Sequence, residues 1–184
     1  MKRVSLLLSL LVFCSATAVE AQAQAPKPGP EVQKLNVWVG HWTLEGEQKA
    51  GPFGPAGKYT GELDGRWILG GFYLEMRTRE KGPAGEVQFL EIDGYDPVNR
   101  NITYSTYGSD GSRESGVYTF SSATTMTFSG KGVAGGKLYL IRGTMIFASD
   151  LLSDTAKADV STDGKTWMPA YVGKATKTQP APKK

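Results

Sequence analysis

From His41 onward, hydrophobic and polar residues alternate with the period of two that is typical of half-buried β-strands. Short spacers of turn-forming residues, such as 96–99 (Asp-Pro-Val-Asn) and 161–164 (Ser-Thr-Asp-Gly), separate the alternating segments. The pattern predicts about ten strands, over 41–49, 58–68, 72–79, 87–95, 102–107, 116–120, 124–129, 137–147, 155–161 and 167–174. Because such short spacers join antiparallel neighbours, the strands are expected to form a meander.

A meander of this length exposes aggregation-prone edges unless it closes on itself or folds into two sheets. We therefore predict an all-β fold, a single antiparallel up-and-down barrel with a short N-terminal helix, and keep a jelly roll or sandwich as the alternative. An α/β fold is excluded because no helix-period segment follows Trp42. Two longer glycine-rich spacers, 51–57 and 81–85, are either rim loops over a barrel mouth or plain surface connectors.

The segment before the first strand has the features of a short amphipathic helix. Gly29-Pro30-Glu31 provides a helix start and Gly40 an end. Between them, one helical face carries apolar residues, namely Val32, Leu35 and Val39, with Trp38 beside them. Trp42 then enters the first strand. A glycine, one residue and a tryptophan at this point resemble the start of lipocalin-like (calycin) barrels, in which the indole plugs the closed end; the alternative is a core tryptophan at a helix-to-strand junction.

The first 23 residues have the features of a secretory signal. They contain a basic start at Lys2-Arg3, an apolar run from Val4 to Ala18, and the small-residue cleavage pattern Ala21-Gln22-Ala23. The apolar run is too short for a membrane-spanning helix, and no later segment reaches the roughly 20 apolar residues that a span requires. We predict a signal peptide over 1–23, a linker over 24–30, a barrel domain over 31–176 and a disordered basic tail over 177–184, in a periplasmic or secreted protein.

The single cysteine, Cys14, lies inside the apolar run. It is either a lipid-attachment site or a residue removed with the signal, and the bulky Phe13 before it favours removal. The mature chain then has no disulfide, so its core must stabilise the fold unaided. Without Lys2, Arg3 and Glu20, the chain has 19 basic and 17 acidic residues and a net charge of +2. This balance argues against nucleic-acid binding.

Three motifs occur in order along the predicted domain: 35–42 (Leu-Asn-Val-Trp-Val-Gly-His-Trp), 67–74 (Trp-Ile-Leu-Gly-Gly-Phe-Tyr-Leu) and 94–97 (Gly-Tyr-Asp-Pro), the last followed by Tyr104. Together they resemble the exported bacterial domain-of-unknown-function family 1579. The resemblance implies a lipocalin-like barrel and a distant relation to the nitrobindin-type haem barrels, which bind iron through a histidine on a late strand. The late strands of this chain contain no histidine, so we expect neither haem nor another cofactor.

No catalytic or metal-binding residue is predicted. His41 is the only histidine, and a lone histidine lacks the further ligands that a metal site requires. The pair Asp93 and Asp96 falls at a turn and lacks the spacing of a calcium loop. A Gly-x-Ser-x-Gly nucleophile elbow is absent from the sequence. Whether the protein is an enzyme stays open, with a binding role favoured.

The third predicted strand has two possible orientations. Tyr73, Glu75 and Arg77 either line the barrel interior or are solvated, and the cost of burying charge favours the second orientation. Tyrosines on later strands, including Tyr139, either form a pocket with hydroxyl groups or pack in the core. The predicted ligand-binding residues are Trp42, Tyr73, Glu75, Arg77, Tyr104, Tyr118 and Tyr171.

The sequence thus favours an exported barrel that binds a small, partly apolar ligand. One alternative is an enzyme that uses the barrel pocket, with Glu75, Arg77 or His41 as acid, base or anion clamp. Another is a dimeric interaction module of the envelope with an apolar outer face. The expected partners are a small hydrophobic molecule or, for the last alternative, a second copy of the chain in a homodimer.

Overall fold

A computed structural model describes residues 27–178 and contains one closed barrel of ten antiparallel strands. Each strand pairs with its neighbour in sequence, and the first strand also pairs with the last. The strands are β1 (Gly40–Gln48), β2 (Gly57–Ile68), β3 (Tyr73–Gly82), β4 (Gly85–Asp96), β5 (Asn101–Gly108), β6 (Arg113–Phe120), β7 (Thr125–Ala134), β8 (Lys137–Phe147), β9 (Ser153–Ser161) and β10 (Met168–Thr178). The predicted all-β up-and-down barrel is confirmed, and the sandwich alternative is wrong.

Several strands extend beyond the ends that the hydrophobic pattern predicts. β3 continues to Gly82, β6 begins at Arg113 and β9 begins at Ser153. The added residues include acidic side chains, which a criterion based on apolar alternation assigns to loops. Hydrogen bonding to a neighbouring strand, rather than local hydrophobicity, sets these ends.

The structure describes only some of the residues at which the predicted domain limits fall. β10 continues through Thr178, two residues past the predicted domain end at residue 176. The predicted signal peptide 1–23, the first part of the linker 24–30 and the last six residues of the predicted tail lie outside the described residues. Within residues 27–178, no helix has the length and apolar character needed to cross a membrane.

A 3-10 helix, Val32–Trp38, precedes the barrel. Its buried residues Val32, Leu35 and Trp38 are three positions apart, which matches the three residues per turn of this helix type. Val39 follows in an extended conformation and is not part of the predicted helical face. The Trp38 ring packs against Trp42, with 5.3 Å between ring centroids, so the helix is fixed to the start of β1.

Glycines on the inner wall give room to tyrosine rings. A Cβ atom at Gly130 would collide with the hydroxyl of Tyr104, and one at Gly173 would collide with the hydroxyl of Tyr59. Because the neighbouring strands are glycine at these points, the rings lie close against the wall. The same glycines therefore help to keep the centre of the barrel open.

Candidate functional site

The barrel interior contains a cavity of about 370 Å³. Trp38 of the 3-10 helix contributes to its lining at one end, and Phe53 and Ala84 contribute at the other. Cavities that hold small molecules in proteins usually begin at roughly 300 Å³. The interior is thus large enough to hold a ligand.

The two glycine-rich spacers reach the rim of this cavity. Phe53 lies edge-on to Tyr139, with 5.1 Å between ring centroids and 82° between ring planes. The Gln48 Nε2 atom holds the same loop by donating to the carbonyl oxygens of Phe53, at 3.5 Å, and Pro55, at 2.7 Å. Ala84, in the second spacer, also lines the cavity. Of the two alternatives for these spacers, the structure supports rim loops.

Four carboxyl groups line the cavity, and each belongs to a different strand: Glu80 of β3, Glu91 of β4, Glu114 of β6 and Asp154 of β9. A fifth acidic residue, Asp110, is exposed at the rim. The four were not predicted as site residues. Glu80, Glu114 and Asp154 fall just outside the predicted strands, and Glu91 lies inside one without a signal for which face it occupies. The one signal that could have indicated Glu80 is that it has the same two-residue parity as Leu74 and Met76, which pack in the core.

Glu114 is held in place by two tyrosines from other strands. Tyr104 Oη donates to one carboxylate oxygen at 2.7 Å, and Tyr139 Oη donates to the other at 2.7 Å. Burial raises the pKa of Glu114, while the two tyrosine hydrogen bonds act in the opposite direction. The two hydrogen bonds fix the position of the Glu114 carboxylate. Because both donors are neutral tyrosines, they supply no positive charge to balance it.

Glu91 of β4 is held in a similar way. It accepts hydrogen bonds from Tyr118 Oη at 2.8 Å and from Thr106 Oγ1 at 2.6 Å. Asp93, two residues along β4, is fully buried, and neither of its carboxyl oxygens has a hydrogen-bond partner within residues 27–178. Burial and, next, the neighbouring Glu91 raise the pKa of Asp93 well above its ordinary value, which favours the neutral acid.

Glu80 and Asp154 differ from the other two because burial alone shifts their ionisation. It raises the pKa of each carboxyl to about 7. Asp154 is only 4% exposed, and its Oδ2 atom has no hydrogen-bond partner in the described part of the chain. These two groups therefore offer unused hydrogen-bonding capacity inside the cavity.

Five tyrosines contribute to the lining, namely Tyr59, Tyr104, Tyr118, Tyr139 and Tyr171. Burial is the first cause that raises the pKa of each phenol, and the neighbouring carboxylates add to it. The hydroxyls therefore stay protonated and act as donors at neutral pH. Tyr104 and Tyr118 also pack against each other, with 4.7 Å between ring centroids.

Basic side chains do not neutralise the cavity. Arg113 and Lys174 are among the lining residues, but both are exposed. Lys177 lies beside Trp42, with its Nζ 5.0 Å from the ring centroid, and donates to the Val37 carbonyl at 3.1 Å. Burial lowers the pKa of Lys177. Within residues 27–178, none of the ion pairs involves a carboxyl of the cavity.

The model of a protein family described as "Protein of unknown function (DUF1579)" matches residues 27–170. The chain belongs to this family. The match covers the 3-10 helix and all strands up to the start of β10. No curated protein matches the sequence.

Two solved structures are similar to this DUF1579 barrel at low sequence identity. "Crystal Structure of Rv2717c from M. tuberculosis" is 14% identical, with a TM-score of 0.59, and the match covers 83% of this chain and 100% of that one. A de novo designed fluorescence-activating β-barrel is 14% identical, with a TM-score of 0.43, and the match covers 79% of this chain and 98% of the designed one. At 14% identity, the likeness to the M. tuberculosis structure concerns the fold alone.

The predicted ligand-binding residues of the DUF1579 barrel fall into two groups. Tyr104, Tyr118 and Tyr171 line the cavity, as does Tyr139. Trp42 is fully buried but is not among the lining residues; its Nε1 donates to the Trp38 carbonyl at 3.2 Å. It is thus a core residue at the helix-to-strand junction.

Tyr73, Glu75 and Arg77 lie on the outer face, because they alternate with the core residues Leu74 and Met76 and none of the three lines the cavity. The hypothesis that they line the interior is therefore wrong. Glu75 is nevertheless only 8% exposed. Glu75 accepts hydrogen bonds from Arg77 Nε at 2.9 Å and Arg66 Nη2 at 2.8 Å, and the bond from Arg77 is the first cause that lowers the pKa of Glu75.

His41 is also on the outer face of the DUF1579 barrel. Its Nδ1 atom lies 2.8 Å from Oδ1 of Asp64, on the neighbouring strand β2. Sequence spacing did not indicate this partner, because 23 residues separate the two. Of the residues that the enzyme alternative uses, none lines the cavity. Among residues 27–178, no three His, Cys, Asp or Glu side chains are placed to hold a metal ion.

Proposed function

We propose that this member of the DUF1579 family is a lipocalin-like barrel that binds one small, partly apolar molecule in its interior. The cavity of about 370 Å³ inside the barrel is the observation that carries the proposal. Much of its lining is apolar or aromatic, including Leu44, Leu63, Met76, Phe89, Phe128, Ile141 and Met145. A few fixed polar groups among such side chains are the usual composition of a small-molecule site.

We further propose that binding takes place outside the cytoplasm, in the periplasm or after secretion. The support is the signal pattern in the first 23 residues, with its basic start, apolar run and small-residue cleavage pattern. A barrel without cysteine in its mature part suits an oxidising compartment, because no thiol is present to oxidise or mispair.

Native mass spectrometry of the mature protein, purified from the envelope of its own host, tests both proposals. The denatured mass gives the processed N-terminus and so shows whether the signal is removed. A native mass that exceeds the denatured mass by a small molecule supports the binding barrel. A denatured mass that corresponds to the full-length chain contradicts export. A native mass equal to the denatured mass, at every protein concentration measured, contradicts a tightly held ligand.

Filling the cavity should abolish the extra mass. Ala156 lines the cavity, so Ala156→Phe places a ring in the space that the ligand would occupy. We expect the affinity to fall roughly tenfold or more, which corresponds to about 1.4 kcal/mol or more of binding free energy, and the bound fraction to fall with it. Native mass spectrometry of the parent and variant proteins, prepared side by side, measures the change.

Thr155→Phe is the matched control, because Thr155 is the preceding residue of the same strand and is exposed. It should retain the ligand at the level of the parent protein. Circular dichroism establishes that both variants are folded. If Ala156→Phe is folded and keeps the full bound fraction, the ligand is not in the barrel interior.

A dimeric envelope module is a second candidate function, favoured by apolar side chains on the outer wall. Leu138 and Ile146 of β8 are 74% and 53% exposed, and Val172 of β10 is 58% exposed. Sedimentation velocity over a wide concentration range tests this candidate. A dimer that Leu138→Lys dissociates supports it, and a monomer at all concentrations dismisses it.

A further inference from the structure

The buried or half-buried side chains of the cavity lining that can carry a charge at neutral pH are all acidic. Glu80, Glu91, Glu114 and Asp154 are acids, whereas the two basic residues of the lining, Arg113 and Lys174, are exposed. A buried ionised carboxylate is strongly unfavourable unless a cation or several donors compensate it. Within residues 27–178, no basic side chain forms an ion pair with any of these four.

Asp154 shows most directly that a donor from outside is needed. It is 4% exposed, it lines the cavity, and its Oδ2 atom has no hydrogen-bond partner among the described residues. A buried acceptor without a partner costs about 1–3 kcal/mol, and more when the group is charged. A ligand that brings an N–H donor with a positive charge removes this cost.

Glu114 and Glu91 are prepared for the same kind of ligand. Their hydrogen bonds with Tyr104, Tyr139, Tyr118 and Thr106 fix the carboxylates without neutralising them. Fixed carboxylates do not need to reorganise when a cation enters, which lowers the cost of binding. An anionic ligand such as a fatty acid would instead meet like charge in a medium of low dielectric constant.

The aromatic part of the lining suits a cation as well. The faces of tyrosine and phenylalanine rings are electron-rich and attract ammonium groups within about 6 Å. The cavity contains five tyrosines and also Phe53, Phe89 and Phe128. The described residues provide no cluster suited to a metal ion. The carboxylates and rings are instead distributed around the cavity. An organic cation can contact several of them at once and therefore suits this lining.

We propose that the cavity selects an organic cation, a protonated amine on an apolar body, with the ammonium group near Asp154 and Glu80 and the apolar part against the rings. This inference rests on the proposed binding function and adds the charge of the ligand. The apolar body accounts for the aliphatic lining, and the ammonium group accounts for the unpaired acids.

Three probes with one ring system and different charge test the proposal. They are 1-naphthylmethylamine, 1-naphthylmethanol and 1-naphthoate, which carry a cation, a neutral hydroxyl and an anion. Isothermal titration calorimetry with the mature protein at about pH 8, where ionised carboxylates are favoured, gives the three affinities. We expect the amine to bind roughly tenfold or more tightly than the alcohol, and the carboxylate to bind least.

Asp154→Asn removes the charge while it keeps the size of the side chain. It should weaken the amine roughly tenfold and change the affinity for the alcohol by less than about twofold. Asp159→Asn is the matched control on the same strand, because Asp159 faces outward and pairs with Arg142 at 3.5 Å. It should change neither affinity. If Asp154→Asn does not fold, Glu80→Gln provides the same comparison.

The outcomes separate this inference from the proposed function. If the alcohol or the carboxylate binds as tightly as the amine, charge selection is wrong and the binding barrel stands. If no probe binds, the molecule recovered from the envelope decides: an amine supports the inference, and a neutral or acidic molecule overturns it. If no probe binds and the native mass is bare, both the inference and the proposed function fail.

Discussion

Raising the pH from about 5 to about 8 should lower the free energy of unfolding by roughly 3 kcal/mol for each of two buried carboxyls. The two groups are Glu80 and Asp154, whose pKa burial raises to about 7. In the unfolded chain both ionise near pH 4, so between about pH 4 and pH 7 the native state binds more protons than the unfolded state. Stability therefore falls as pH rises through this window and levels off above the folded pKa.

Other titratable groups in or beside the cavity must be considered together with Glu80 and Asp154. The lining contributes Glu91, Glu114, Tyr59, Tyr104, Tyr118, Tyr139 and Tyr171, and Asp93 is buried near Glu91 without lining the cavity. Burial also raises the pKa of Glu114 and Asp93, so these acids act in the same direction. Below about pH 4, protonation of Asp163 should reverse the trend, because hydrogen bonds from the backbone of Thr166 and Lys165 lower its pKa. Maximum stability is expected near pH 4 to 5.

Urea unfolding followed by far-UV circular dichroism at several pH values measures this dependence. Asp154→Asn should remove the roughly 3 kcal/mol that Asp154 contributes, since the amide does not ionise, and should be more stable than the parent protein at about pH 8. Asp159→Asn should keep the pH dependence of the parent protein, because Asp159 is partly exposed on the outer wall. Equal stability of the parent at pH 5 and pH 8 would show that the cavity carboxyls are solvated.

Replacing Trp42 by alanine should destabilise the barrel by roughly 3–5 kcal/mol. The side chain is fully buried, stacks on Trp38 and donates a hydrogen bond to the Trp38 carbonyl. Its loss leaves a large cavity and frees the 3-10 helix from the first strand. Thermal and urea unfolding, followed by far-UV circular dichroism, give the difference in stability.

Trp167→Ala is the control of the same chemical type. Trp167 is only partly buried and stacks beneath Arg142, whose Cζ lies 4.1 Å from the ring centroid. A cation–π contact at an exposed position contributes about 0.5–1 kcal/mol, so the expected loss is small. If Trp42→Ala loses no more stability than Trp167→Ala, the 3-10 helix does not depend on Trp42.

The strands could be predicted from the sequence, but the acidic lining could not. In β3, for example, Leu74 and Met76 pack in the core, whereas Tyr73 and Arg77 are exposed. Glu80, Glu114 and Asp154 break this rule by facing inward near strand ends, so an apolar criterion ends the strand before it reaches them. Tyr104 and Tyr118 could be proposed as pocket residues because tyrosine suits both a core and a pocket.

By itself, the sequence determined the approximate strand number and the antiparallel order, because these follow from local alternation and short turns. It favoured closure but left a sandwich open, and the pairing of β1 with β10 decided for the barrel. Only the tertiary structure decided that four acids from β3, β4, β6 and β9 meet in one cavity. For two of the four, Glu91 and Glu114, the physical reason is that hydrogen bonds from side chains on other strands stabilise the buried carboxyl. Tyr139 lies 25 residues from Glu114, and Tyr118 lies 27 residues from Glu91. Such pairs exist only after the barrel has closed.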